Sequence, residues 1–415
     1  MTSFWRQFQS GAWLTAERVR AYGLILLALY VIATVVWISL AHGLSDANGK
    51  PLGTDFASFY AAGSLVLDGQ AAQVYDMAAH YARERQLFGA DTPYYAWFYP
   101  PFFLLLAAPL AALPYLLALA IWQSVTFAGY LAVMRAILLT ASLTRRQTAL
   151  GLLAAAACPA ASVNLGHGQN GFLTAALLGG ALVALPRRPV LAGVLFGLLA
   201  YKPQFGLVIP VALLAAGQWR SIGAATFTVV ALMLGTAALF GPDIWTAFAA
   251  STELSRKLLL QDGDVGFEKL QSVFAAVRMW GGGISLAYAI QGLISVIVIG
   301  SVAWAWRRPC GRDVRAAMLC AATVLASPHV LDYDLMILGP TIAFMTVAIA
   351  TGGAKSYEVS ALAFAWLVPL AARGVAGATG IPLALIAMIA LYVIIQRRAE
   401  TPDGVNLRSA AFNAT

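Results

Sequence analysis

Asp55 is the side chain in this sequence best suited to general-base chemistry, because it is a carboxylate set among aromatic residues. It precedes an apolar string, FASFYAAGSLVL at residues 56–67, whose spacing predicts a helix lying flat on a membrane surface. A helix N-terminus stabilises an ionised carboxylate, so this base would stay charged. The alternative interpretation is an ordinary N-cap, and spacing alone does not separate the two.

Aromatic side chains are concentrated near this carboxylate. Phe59 and Tyr60 belong to the predicted helix, and Tyr99 ends an aromatic string at residues 94–99. Sugar rings stack on such aromatics through their C–H faces, which makes all three candidates for binding a sugar or an acceptor. Aromatic residues near a membrane surface also form interfacial belts, and this remains the competing interpretation.

Lys202 interrupts a long apolar segment at residues 190–216. A lysine within a membrane segment costs roughly 2.5–3.5 kcal/mol on insertion scales, so something must compensate its charge. The side chain either extends to the outer surface or pairs with an anionic ligand such as a lipid phosphate. The Lys202-Pro203 pair also predicts a break between two short helices.

Two further local signals concern helix shape and packing. Pro109 and Pro114, in the apolar run at residues 104–134, predict a half-helix followed by one full span. The GVLFG string at residues 193–197 is a GxxxG pattern and predicts close helix packing.

Two polar turns, GHGQN at residues 166–170 and SPHVLDYD at residues 327–334, add further candidates. They supply His167, Gln169, Asn170, His329, Asp332 and Asp334. Turn chemistry alone explains their glycines and proline. Because both turns are predicted on the same face as Asp55, we expect a shared polar cavity. No metal site is assigned, since the HxxD pattern lacks a clear third ligand.

The composition places these residues in a membrane protein. Hydrophobic residues make up 60% of the 415 residues, charged residues only 11%, and the mean hydropathy is +0.77. Such a chain has too little polar surface for a soluble globule of this size. Its non-alternating apolar runs predict an all-α polytopic membrane protein of about 12 transmembrane helices, with a helical outer-face loop after the first.

The distribution of basic residues predicts the orientation of this chain. Lys and Arg collect in cytoplasmic loops, which places both termini in the cytoplasm. Residues 1–398 then form a single polytopic domain with outer loops at 42–98 and 241–283, and residues 399–415 form a disordered cytoplasmic tail. The net charge of +8 belongs to the inner face and gives no argument for nucleic-acid binding.

A membrane transporter or lipid flippase is the alternative function, because a broken helix with a charge at its middle is also a transporter feature. However, no paired broken segment occurs in corresponding halves of the sequence, and a transporter has less use for a long acidic outer loop. No P-loop, GxSxG or HExxH motif occurs, so nucleotide and hydrolase chemistry are not indicated.

Five strings, in this order, resemble bacterial glycosyltransferase family 87, the polyprenyl-phosphate-mannose-dependent mannosyltransferases of the GT-C superfamily. They are DFASFYAAGSLVLDGQAAQVYD, FYPPFFLLLAAPLAALP, GQNGFL, RRPVLAGVLFGLLAYKPQ and SPHVLDYDL. Together they cover most of residues 50–340, and the first two are the most specific.

The resemblance implies a GT-C-type bundle, with residues 1–398 as one transmembrane glycosyltransferase domain. It implies inverting transfer of a hexose, mannose in such enzymes, from a polyprenyl-phosphate donor to a lipid or glycan acceptor. The reaction would take place on the outer face of the bacterial plasma (inner) membrane. Asp55 would activate the acceptor hydroxyl, while Lys202 and His329 would bind the donor phosphate. No cofactor is implied, and metal dependence is left open.

Overall fold

This computed structural model describes residues 3–257, 260, 263 and 266–400. The regular secondary structure of that part is helical. Helix accounts for 76% and no strand occurs in that part, which confirms the predicted all-α fold. The first ten α-helices are α1 (Ser3–Ser10), α2 (Ala16–Ser39), α3 (Phe56–Leu67), α4 (Met77–Phe88), α5 (Leu104–Ala111), α6 (Tyr115–Leu138), α7 (Arg145–Ala156), α8 (Pro159–His167), α9 (Gly171–Ala184) and α10 (Pro189–Leu198).

The second half of the chain continues the same pattern. Its α-helices are α11 (Val208–Ala215), α12 (Trp219–Phe240), α13 (Asp243–Arg256), α14 (Val273–Met279), α15 (Ile284–Arg307), α16 (Arg312–Leu325), α17 (Leu338–Gly352), α18 (Glu358–Leu367), α19 (Ala372–Thr379) and α20 (Leu383–Glu400). Short 3₁₀ helices span Ala71–Tyr75, Pro101–Phe103, Leu199–Tyr201, Pro203–Leu207, Asp332–Ile337 and Val368–Leu370. Of the tail predicted at 399–415, the first two residues continue α20, and residues 401–415 lie outside the described residues.

Five helices of the described part are long and apolar enough to cross a membrane. They are α2, α6, α12, α15 and the combined helix Asp332–Gly352. The count rises to seven if two bent pairs are each one span, α7 with α8 at 44° and Glu358–Leu370 with α19 at 72°. The predicted number of about 12 is not confirmed, because several apolar runs form helices of 10–17 residues, shorter than the roughly 20 residues of a simple span.

Lipid-facing helices are recognisable from their unburied apolar residues. In α2 and α12 only 6% of the most apolar window is buried within the protein. Val35, Phe227 and Leu234 are 60, 74 and 66% exposed, which would be unfavourable in water. These helices therefore use lipid as their apolar surroundings, as expected of a multi-pass membrane protein.

Prolines break two predicted apolar runs at the expected places. The run from residue 104 divides into the short helix α5 and the full-length α6, and Pro114 occupies the N-cap position of α6. The run at residues 190–216 divides at Lys202-Pro203, where two 3₁₀ helices separate α10 from α11. Both predicted breaks are confirmed.

Glycines allow the closest helix contacts. A Cβ at Gly193 would lie 2.3 Å from the Ser221 carbonyl oxygen, and one at Gly197 would lie 2.7 Å from Thr228 Cβ. The GVLFG string therefore packs α10 against α12, as small residues do in membrane helices. Gly63 acts likewise between α3 and α5, since its Cβ would lie 2.2 Å from the Ala107 carbonyl oxygen.

The contact between α3 and α5 fixes the helix that begins at Asp55. Phe56, Phe59 and Leu65 of α3 are at most 2% exposed, buried by protein. The sequence predicted that this apolar face would lie on the bilayer surface, and that detail is wrong. The aromatic residues around 97–104 supply the apolar surroundings instead, in one buried cluster with α3.

Candidate active site

The Asp55 carboxylate occupies the N-cap position of α3 but makes no capping hydrogen bond. Its Oδ2 instead accepts a hydrogen bond of 2.9 Å from Nε2 of Gln169, more than a hundred residues along the chain. The side chain is 30% exposed. The N-cap interpretation therefore fails, and the carboxylate is held at an accessible surface by a partner outside its own helix.

Gln169 is held in one orientation by its other contacts. Its Oε1 accepts a hydrogen bond of 3.2 Å from the Tyr99 hydroxyl and one of 3.1 Å from the backbone N–H of Asn170. Because the amide oxygen is occupied in this way, the NH₂ group faces Asp55. An amide donor complements an ionised carboxylate, which is the form that a general base requires.

His167 joins the same cluster from the end of α8. Its Nδ1 lies 2.8 Å from Thr54 Oγ1 and 3.9 Å from Asp55 Oδ1. The chain can turn directly after it because Gly168 has a φ of 62°, and a Cβ there would lie 2.6 Å from Phe56 Cβ. Thr54 itself has a φ of 28°, which is unusual for a β-branched residue. The contact with His167 helps to hold that strained backbone in place.

The other predicted aromatic residues lie beneath the carboxylate. Phe59 is 2% exposed, and its ring meets five aromatic rings edge-on, those of Phe56, Trp97, Tyr99, Phe103 and Trp122. Tyr60 donates a hydrogen bond of 2.8 Å to the Leu113 carbonyl. Both residues thus support the site from its core side, whereas Tyr99 contacts the polar cluster directly.

Lys202 forms an ion pair with Asp334, and both side chains are at most 3% exposed. The Lys202 Nζ also lies 5.0 Å from the centre of the Tyr333 ring. Extension of the lysine to the surface is therefore excluded as the explanation of its charge. Asp334 Oδ2 accepts a hydrogen bond of 3.0 Å from the Leu331 N–H, and His329 lies within electrostatic range of the pair.

Asp332 connects these two groups of residues. It lies two residues before Asp334 on the same 3₁₀ helix and within electrostatic range of Asp55, His167 and Arg373. Tyr99 lies within electrostatic range of both Asp55 and Asp334. The predicted polar residues therefore form one neighbourhood, with the Asp55 group partly exposed and the Lys202 group buried.

Arg373, at the start of α19, was missed by the sequence reading. Its Nη1 lies 4.0 Å from Asp332 Oδ2, and its side chain is 46% exposed. Among the described residues it donates no hydrogen bond, so its guanidinium can meet a ligand. The bend of 72° before α19 brings this arginine to the site, and such a bend leaves no clear sequence signal.

His80 and Glu84 of α4 were also missed. Both side chains are fully buried, with His80 Nε2 3.4 Å from Glu84 Oε1 and 3.2 Å from Ser58 Oγ. Burial raises the pKa of Glu84, although His80 and the Tyr95 N–H oppose this rise. The available signal was the four-residue spacing of His80 and Glu84, which places both on one face of a helix.

Within the described part of the chain, no group of three or more His, Cys, Asp or Glu side chains is arranged so that it could hold a metal ion.

A comparison with known protein families identifies the family of this chain. Residues 97–328, more than half of the chain, match glycosyltransferase family 87. The chain belongs to glycosyltransferase family 87. It is accordingly a glycosyltransferase, and the transporter alternative is set aside. Searches of curated proteins and of solved structures each found no match. The matched segment of this family 87 protein contains Tyr99, His167, Gln169 and Lys202, whereas Asp55 and Arg373 lie outside it.

The buried Lys202–Asp334 pair predicts how this family 87 protein responds to mutation. Lys202→Met leaves the Asp334 carboxylate buried without its partner, which costs about 3–5 kcal/mol in comparable pairs. The double variant Lys202→Met/Asp334→Asn removes both charges and should regain most of that loss. Thermal unfolding in detergent measures both effects.

Arg146→Met provides the control for this experiment. Arg146 lies 3.7 Å from Glu17, and both side chains are more than 70% exposed, so the melting temperature should not change. A Lys202→Met variant as stable as the parent would show that the buried pair contributes nothing to folding.

Proposed function

We propose that this glycosyltransferase transfers a hexose, with inversion, from a polyprenyl-phosphate donor to a lipid or glycan acceptor. Mannose is the proposed sugar, because the sequence resembles mannose-dependent members of the family. Asp55 is the proposed general base. The observation that carries this proposal is the state of its carboxylate: partly exposed, held through Oδ2 by Gln169, and free of any capping role.

The proposed chemistry needs little from the protein beyond position and charge. The acceptor hydroxyl attacks the anomeric carbon as the bond from that carbon to the phosphate oxygen breaks. The hydroxyl proton passes to the Asp55 carboxylate, and polyprenyl phosphate leaves with the bonding electrons. Gln169 holds Oδ2, and Oδ1 accepts no hydrogen bond from a described residue, which makes Oδ1 the proposed proton acceptor.

Negative charge grows on the phosphate as it leaves, so cations near it would lower the barrier. Lys202 and His329 remain the proposed donor-phosphate residues. Asp334 already neutralises Lys202, however, which limits what that lysine can offer a phosphate without rearrangement. Arg373 is therefore added to the proposal, since its partly exposed, planar guanidinium can donate to two phosphate oxygens at once.

Sugar and acceptor binding are assigned to the residues around Asp55. We propose direct contacts for Tyr99, His167, Gln169 and Asp332, with Asp334 on the donor side. Phe59, Tyr60 and Asn170 were predicted in the same role. Their burial or their protein contacts support a different proposal, that they hold the rings and the turn beneath the substrate.

The proposed setting is the outer face of the bacterial plasma membrane, with both termini in the cytoplasm. The supporting observation is the distribution of charge. Arg187 and Arg188 follow α9, and Arg307 and Arg308 lie at the end of α15, in both cases opposite to the predicted outer side. Residues 1–398 are proposed to act as one transmembrane domain of the GT-C type.

The donor is tested with purified protein and a bacterial lipid extract as the source of acceptors. Labelled polyprenyl-phosphate mannose should give a labelled product, because its lipid tail and phosphate fit a membrane-embedded site. GDP-mannose should give none, since the sequence has no nucleotide motif. Efficient transfer from GDP-mannose alone in lipid-free detergent would overturn the proposed donor.

Asp55→Asn should reduce transfer by roughly 10²–10⁴, because the amide cannot take the acceptor proton. Protein yield and thermal stability should stay close to those of the parent, since the side chain keeps its size. Asp76→Asn is the matched control. Asp76 is a true N-cap, with its carboxylate accepting from the Ala79 N–H, and Asn caps helices about as well. Near-normal turnover by Asp55→Asn would rule out Asp55 as the base.

Orientation is tested by cysteine labelling in cells whose outer barrier, if present, has been opened. Asn48→Cys lies in the first outer loop and should react with a membrane-impermeant thiol reagent, whereas Ser142→Cys should not. Both positions are exposed, so differences in labelling report the side of the membrane. The native cysteines Cys158, Cys310 and Cys320 are buried. The reverse pattern would contradict the proposed orientation.

A further inference from the structure

We infer that Ser58, His80 and Glu84 are positioning residues that hold the Asp55 carboxylate in its reactive geometry. This inference rests on the proposed role of Asp55. The three side chains do not contact the proposed substrate position. They are buried, whereas the Asp55 carboxylate is partly exposed, and they close a ring of contacts that begins and ends at Asp55.

The first half of the ring runs through helix α3. Ser58 is three residues after Asp55, so it lies on the first turn of the helix that Asp55 begins. Its hydroxyl lies 3.2 Å from Nε2 of His80 on α4. Ser58 is 2% exposed and His80 fully buried, so water does not replace this contact easily. The start of α3 is thereby tied to α4.

The second half runs through the aromatic segment. Glu84, one turn after His80, accepts a hydrogen bond of 3.0 Å from the backbone N–H of Tyr95 through Oε2. Four residues later the Tyr99 hydroxyl donates to Gln169 Oε1. Gln169 then donates to Asp55, which closes the ring. The position of Asp55 relative to Gln169 therefore depends on α4 holding both α3 and the 95–99 segment.

The burial of His80 and Glu84 indicates that the pair does more than pack α4 against its neighbours. His80 and Glu84 are both 0% exposed, yet they lie in an outer-loop helix that has polar residues on its other face. Burying a carboxyl and an imidazole is costly unless they are paired, and replacing one partner leaves the other buried without compensation. A helix held only by apolar contacts would avoid this cost. The pair is thus poorly explained by packing alone.

Glu84 of this pair also interacts electrostatically with Asp55. Charge on Asp55 acts on Glu84 and opposes ionisation of its carboxyl, although burial is the larger cause of its raised pKa. Asp55 and Glu84 therefore belong to the same electrostatic environment. A substitution at Glu84 therefore affects Asp55 in two ways, by shifting the position of its carboxylate and by changing the electrostatic potential around it.

Displacement of a reacting group by about 1 Å can cost about 10²-fold in rate. We therefore expect Ser58→Ala and Glu84→Ala each to lower kcat by about 10–100-fold, with little change in the KM for the donor. Since both act through His80, the double variant should lose much less than the product of the two single losses. Glu84→Gln keeps an acceptor for the Tyr95 N–H and should recover most of the activity.

Tyr81→Phe is the matched control. Tyr81 follows His80 on α4 and donates a hydrogen bond of 3.0 Å to the Thr92 carbonyl, so it also ties α4 to the loop that follows. It lies outside the ring. Its loss should lower thermal stability by an amount similar to Ser58→Ala and leave kcat unchanged, which separates positioning from general stability.

Hydrogen–deuterium exchange gives a readout that does not need activity. Amides at residues 55–60 should exchange faster in Glu84→Ala than in the parent, although Glu84 lies on another helix, and Tyr81→Phe should leave them unchanged. Unchanged exchange at 55–60 in Glu84→Ala would overturn the positioning role. So would equal loss of kcat in Tyr81→Phe, or additive losses in the double variant.

The same measurements separate this inference from the proposed function. If parent protein transfers no hexose from polyprenyl-phosphate mannose, the proposed donor fails, while faster exchange at residues 55–60 in Glu84→Ala still supports the ring. If the parent transfers hexose and Asp55→Asn does not, but Glu84→Ala retains full kcat, the proposed base stands and the positioning role fails.

Discussion

The hydrogen bond from Gln169 to Asp55 is the contact on which the site depends, because it joins two polar turns that are far apart in sequence. A helix N-terminus would ordinarily satisfy such a carboxylate from within its own first turn. Here the partner comes from the turn between α8 and α9, whose orientation Tyr99 and the Asn170 N–H determine. The carboxylate is consequently fixed in place while one oxygen stays open to a ligand.

Membrane helices that break before completing a span make this junction possible. The residues after α8 lie in the short turn that leads to α9, and those around Lys202 and at Asp332 lie at or next to 3₁₀ helices. Polar backbone at such breaks must be buried in protein or face a polar cavity, because lipid offers no hydrogen bonds. The breaks therefore bring polar side chains together at one end of an otherwise apolar bundle.

Sequence reasoning identified the local elements better than their arrangement. It predicted the helix after Asp55, the breaks at Pro114 and Lys202, and the close packing at Gly193, because each leaves a short-range signal in residue type or spacing. The number of spans was not confirmed, since hydropathy does not distinguish a helix facing lipid from a short helix buried by its neighbours. The same ambiguity produced the error over α3, whose apolar face packs on protein.

The partners of charged residues were the least predictable part of the site. Lys202 was recognised as needing compensation, but its pairing with Asp334 joins positions 132 residues apart, and a single sequence carries no signal for that contact. Arg373 depends on a sharp bend between helices. His80 and Glu84 had a readable spacing, yet only the fold shows that the face they share is buried against α3.

The buried end of α20 limits how far the chain can be shortened. Arg398 is 1% exposed and lies 2.7 Å from Glu358 Oε2, and it also donates to the carbonyl oxygens of Ala348 and Gly353. One residue near the end of the described chain thus joins α20 to α17 and α18. A truncation that removes Arg398 leaves the Glu358 carboxylate buried without its ion-pair partner. Truncations from the C-terminus should therefore remove only residues beyond Glu400.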